Sequence, residues 1–165
     1  MAKIRFEGSE KYGSVLGYWE TRMLDGNALE RVVRRGAAVI ADAVRLSLSL
    51  IPSRKKGDGR TDGITAQERA LLTKHFGVTP IKRDRDGFLH AKIGWDGYTG
   101  HSRKGYPRGF PVPFLAATIE RGASWRDKIP FIRNAVKKYK PLAVEEMQKA
   151  LDEELDDIFN FEGRT

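Results

Sequence analysis

The sequence predicts an α+β domain: a small antiparallel sheet packed by two long amphipathic helices, with basic loops protruding. Apolar residues recur at steps of three or four over 27–51 and again over 131–159, the spacing of helices with one buried face. Between them, alternating residues around an Asp-Gly turn mark a hairpin. Helices segregated from a small antiparallel sheet make α+β layers. With 165 residues, 40% of them apolar, the chain can bury one core, as a single domain over 1–165.

Lys3-Ile4-Arg5-Phe6-Glu7 alternates polar and apolar residues, which suits a short strand. Residues 9–23 mix Val15, Leu16, Tyr18 and Trp19 with Gly13 and Gly17, and read as a broken helix or an ordered loop. Asn27 and Glu30 are spaced for a capping box. Leu29, Val33, Ala37, Ile40, Val44, Leu48 and Ile51 then form the first apolar stripe, which Pro52 stops. Gly36 interrupts good helix formers and marks close packing against another element. Residues 53–63 carry no large apolar side chain and three glycines, so a flexible basic loop is expected there.

A second capping box, Thr65 to Glu68, opens a short helix that ends near Gly77. Val78 to Trp95 reads as the hairpin, turning at Asp84-Arg85-Asp86-Gly87. Leu89, Ala91, Ile93 and Trp95 share one of its faces, and His90 and Lys92 the other. Residues 98–112 form a second flexible basic loop, and Phe114 to Arg121 a short helix closed by Gly122. Ile132, Val136, Tyr139, Ala143, Met147, Leu151, Leu155 and Ile158 keep phase across Pro141, so one helix, kinked at the proline, is expected. Residues 160–165 are expected to be a disordered tail.

Charge is unevenly spread. Residues 1–63 hold 12 Lys/Arg and 8 Asp/Glu (+4), 64–140 hold 16 and 6 (+10), and 141–165 hold 2 and 8 (−6). A positive middle and a negative end suit an anionic partner, or another copy of the chain met head to tail.

Several function classes lose their support. The sequence has no cysteine, which removes disulfides, thiol nucleophiles and cysteine-ligated metals. The longest unbroken apolar run, Ala37 to Ala41, is far short of the roughly 20 residues a membrane span needs. The first twenty residues hold no apolar block, so no secretory signal is expected. His75, His90 and His101 fall at no metal-ligand spacing. Asp84 with Asp86, and Asp58 with Asp62, are explained by turn chemistry before a cation is invoked. No Gly-x-Ser-x-Gly, Gly-x-Gly-x-x-Gly or Walker pattern occurs. No catalytic, cofactor-binding or metal site, and hence no enzyme, is expected. What stands out instead is two basic clusters: Arg54, Lys55, Lys56 and Arg60 in the first loop, and His101, Arg103, Lys104 and Arg108 around Tyr106 in the second. Such loops suit phosphate contact or an acidic protein surface.

Three segments in order carry a resemblance: Lys92-Ile93-Gly94-Trp95-Asp96-Gly97-Tyr98, then Leu115 to Ser124 with Glu120, Arg121 and Gly122, then Pro130-Phe131-Ile132-Arg133-Asn134-Ala135-Val136. Together with the first helix and its terminal Pro52, over roughly residues 25–158, the chain resembles the gene-10-like tail-component family of long-tailed bacteriophages, the neck or tail-completion proteins. It departs from that pattern at Ala123, where Thr is usual, at Asn134, where Pro is frequent, and in the charged 53–63 loop with the short helix after it. The resemblance implies a structural virion protein that completes or joins the tail at the head–tail interface, as a ring of six copies. It also implies neighbouring neck or tail proteins as partners, DNA in the channel as a possible one, and no membrane. Assembly would take place in the host cytoplasm, and the final location would be the virion. Glu120, Gly122, Pro130 and Phe131 would serve as fold-making residues. The alternative class is a basic nucleic-acid-binding protein, supported by a pI near 9.8 and the two loops.

Overall fold

The computed structural model describes residues 27–55, 57, 59–100 and 104–161. The strand expected at 3–7 and the broken helix at 9–23 lie outside them, as do Lys56, Asp58, His101 and Arg103. The architecture is α+β. Its order is α1 (Asn27–Leu50), α2 (Ala66–Lys74), β1 (Phe76–Val78), β2 (Lys82–Arg83), β3 (Leu89–His90), β4 (Ile93–Trp95), α3 (Val112–Arg121) and α4 (Phe131–Phe161).

The two long helices run antiparallel along each other. Arg31 and Arg35 near the start of α1 bond Glu154 and Glu153 near the end of α4, while Ser47 Oγ near the end of α1 donates to the Phe131 carbonyl at the start of α4. Midway, a Cβ on Gly36 would lie 2.5 Å from Met147 Cγ and Sδ. Gly36 therefore lets the two backbones approach, as its position in a strong helix pattern predicts.

Residues 51–130 form a cap on the end where α1 finishes and α4 begins. Its core unites Val44 and Leu48 of α1 with Ile51, Ile64, Leu72, Val112, Ile119 and Phe131. α2 opens with the expected capping box, Thr65 Oγ1 accepting from the Glu68 amide and Glu68 accepting from the Thr65 amide. The box expected at Asn27 involves a side chain outside those described.

The hairpin is one antiparallel ribbon broken in the middle. β1 pairs with β4 (Phe76 opposite Trp95), and β2 with β3 (Lys82 opposite His90). The first strand carries one more residue than its partner between these ladders, a bulge at Pro80, which has no amide hydrogen to offer a ladder. At the tip, the Asp84 carboxylate accepts from the Asp86 and Phe88 amides, and Gly87 has φ 87°. The turn is as expected. The sheet is small, as expected: it meets the core through Trp95, whose ring lies tilted against Phe76 and edge-on to Phe131 at 5.0 and 5.9 Å between ring centres. The long helices also pack along each other.

α3 begins at Val112, two residues before the expected start, because Pro113 fits the first turn of a helix. α4 passes through Pro141 as one helix and continues to Phe161. Residues 160 and 161, expected in a disordered tail, are helical.

Candidate interaction surface

Two charged side chains fasten the cap to the helix pair. Arg69 on α2 donates to the carbonyls of Leu48, Ser49 and Ile51 and to Ser53 Oγ. It thus satisfies the carbonyls that the end of α1 leaves without helical partners. Glu120 on α3 accepts from the Ile132 and Arg133 amides at 2.8 and 3.1 Å, so a carboxylate from a different helix caps α4. Each sign matches the partial charge of the helix end it meets. Sequence reasoning placed Glu120 among the fold-making residues without indicating that its partner is α4, and gave no sign of Arg69.

The other fold-making residues fall at the same junction. Gly122 ends α3 with φ 80°, and a Cβ there would stand 3.1 Å from the Lys128 amide nitrogen. Pro130 precedes α4, and its carbonyl accepts from the Asn134 amide at 3.1 Å. Phe131 is 3% exposed and anchors the start of α4 in the core.

The first basic loop is tied down. Across its base the Arg54 amide donates to the Ile64 carbonyl and the Ile64 amide to the Pro52 carbonyl. Arg54 Nη1 donates to the Arg60 carbonyl, and Arg60 grips both Asp62 oxygens at 2.9 and 2.6 Å. This contact holds the Asp62 carboxyl below the usual carboxylate range, the Arg60 side-chain hydrogen bond being the main cause. The Thr61 hydroxyl donates to Asp127, whose amide donates back to the Thr61 carbonyl. Arg54 and Arg60 are therefore bonded within the loop, and Lys55 beside them is exposed.

The second loop closes on itself through Tyr98 opposite Pro111 and Thr99 bonded to Phe110. Tyr106, Phe110 and Phe114 form an edge-to-face ladder with 5.3 and 5.2 Å between ring centres. Lys104 and Arg108 are exposed beside it, and a shallow hollow of about 280 Å³ lies between Tyr98, Tyr106, Pro107 and Arg108.

The larger charged feature was missed in the sequence. The first ten residues of α4 carry Arg133, Lys137, Lys138 and Lys140 and no acid, and all four are exposed. The later part carries Glu145, Glu146, Asp152, Glu153, Glu154, Asp156 and Asp157 against Lys149 alone. Part of this acidity is answered within the chain: Arg31 and Arg35 take Glu154 and Glu153, and Lys149 bridges Glu145 and Glu146. Contact with Glu153 raises the pKa of Arg35, and the two glutamates raise that of Lys149. The signal was present in the run before Pro141, but it was averaged into the charge of a longer segment.

Among the described residues no group of three or more His, Asp and Glu converges as a metal site, and no helix is long and apolar enough to cross a membrane. Comparison of the chain with protein-family models, curated proteins and solved structures returns no match.

Proposed function

We propose that this chain is a structural subunit of a tailed-phage virion, forming a ring of six copies at the head–tail interface and carrying out no bond-breaking chemistry. The observation that carries this reading is the polarity of the molecule: one long helix presents a basic end and an acidic end to the outside. A subunit with complementary patches on different sides suits a heterologous contact that closes into a ring. The ordered motif resemblance over roughly residues 25–158 supplies the viral setting, with neck or tail proteins above and below the ring. The side chains that sequence reasoning singled out around 120–131 serve the fold, which agrees with a protein that works by shape.

The test is peptide mass spectrometry of purified particles from the phage that encodes the chain. This reading expects the chain in finished particles at about six copies for each tail, and its absence would overturn the assignment. A second reading, a basic nucleic-acid-binding protein, draws on Lys104 and Arg108 beside the exposed Tyr98 and Tyr106. Tight filter binding of duplex DNA by the monomer at moderate salt would favour that alternative, and weak binding by the monomer would favour the ring.

A further inference from the structure

We propose that the outward face of α4 is the surface on which a second copy of this chain docks, the basic end of one helix against the acidic end of the other. The inference rests on the self-assembly part of the function proposed above and gives it an address. The first basic loop is a poorer partner for the acidic helix, because Arg54 and Arg60 already bond within it.

The charge order of α4 is the argument. A helix N-terminus carries partial positive charge and its C-terminus partial negative charge, so acids stabilise the first turn and bases the last. α4 does the reverse: its first turn has Arg133 and no acid, and its last turn has no base. The chain supplies the missing carboxylate from Glu120 on another helix. A charge pattern that works against its own helix has its reason outside that helix.

The pattern is also unanswered where it faces outward. Phe131, Ala135, Ala143 and Ala150 mark the buried side of α4. Arg133 and Lys137 lie on the other side at one end, and Asp152 and Asp156 on the other side toward the far end, all exposed. None of these four has an ion-pair partner among the described residues, whereas Glu153 and Glu154, on the α1 side, both do. Arg133 and Asp156 are about 34 Å apart at the helical rise. Between them Pro141, Val144 and Gln148 are exposed beside Glu145 and Lys149, whose charges answer each other. The basic end of α4 on one copy is complementary to the acidic end of α4 on the next, one such contact at each interface, so that each copy offers one end to either neighbour.

Two charge-reversed variants of the full chain test this, R133E/K137E and D152K/D156K, studied alone and mixed in equal amounts by sedimentation velocity at about 50 mM salt, where exposed charges are least screened. The expected result is that the unmodified chain associates, that each variant alone associates at least about tenfold more weakly, and that the mixture recovers. All four side chains are exposed and without an ion-pair partner among the described residues, so each monomer should melt close to the unmodified chain. Loss of association with undiminished monomer stability separates a docking face from a merely structural role. Variants that associate like the unmodified chain, or a mixture that does not recover, would overturn the proposal. Recovery in a protein absent from virions would leave the docking face standing and remove only the viral assignment.

Discussion

Glu68 has two partners at once, and this makes its pairing with Arg126 asymmetric. It completes the cap of α2 and neutralises Arg126, whose side chain has no exposed surface and whose Nε and Nη1 find no hydrogen-bond partner. Removing one member of a buried pair leaves the other charge uncompensated, whereas an apolar replacement of the buried cation can be nearly neutral. Glu68→Ala should therefore cost about 2–4 kcal/mol, the lost cap included. Arg126→Met should stay within about 1 kcal/mol of the unmodified chain. Urea denaturation of both variants checks the contrast, and equal losses would contradict it. Asp62 offers a pH test. Arg60 lowers its folded pKa, so the contact is intact above the ordinary carboxylate pKa of about 3.9 and is lost as pH falls through the lower folded value. A carboxyl-carbon NMR titration should place Asp62 below its ordinary range in the native chain and return it there in Arg60→Gln.

At the scale of elements, the fold depends on how two long helices are brought together and how their ends are finished. Glu120→Ala removes a two-amide cap from α4 and should destabilise the protein by about 1–2 kcal/mol. A thermal melt reads this as a lower Tm with an unchanged far-UV spectrum. Gly36→Leu must displace Met147 from the α1–α4 contact, and overpacking of this kind costs about 1–3 kcal/mol. Urea denaturation with no loss of midpoint would show that the helices do not depend on close approach there. The sequence displayed those elements whose cause is local. The long helices, the Thr65–Glu68 box and the Asp84–Gly87 turn all rest on neighbours in the chain and stand where the spacing placed them. The buried lines, however, are shifted by a residue: Ala28 and Val32 are buried ahead of Leu29 and Val33, and Ala135 ahead of the exposed Val136. It displayed less where partners are remote. Nothing near Arg69 indicates that it will meet carbonyls of a helix ending some twenty residues earlier, and nothing near Arg126 indicates burial. The hairpin's break at Pro80 was legible in principle, since a proline inside a strand pattern demands a bulge or an edge.

For the whole molecule, the decisive property is how charge is distributed over the surface. Net charge alone, +8, favours an anionic partner of any kind. The arrangement says more: a cap whose first basic loop is bonded internally, and a long helix whose two ends carry opposite signs on the outside. This part of the candidate site was hidden from sequence reasoning because regional charge was summed without the helix's geometry. Exposed pairs are individually weak, about 0.2–1 kcal/mol each, so an assembly built on them should respond steeply to ionic strength. Sedimentation velocity of the full unmodified chain across a salt series tests this most directly. The account predicts a species larger than the monomer at about 50 mM salt that falls apart toward the monomer by about 0.5 M, as the screening length shrinks to a few ångströms. A chain that is monomeric throughout, or an oligomer that ignores salt, would contradict it.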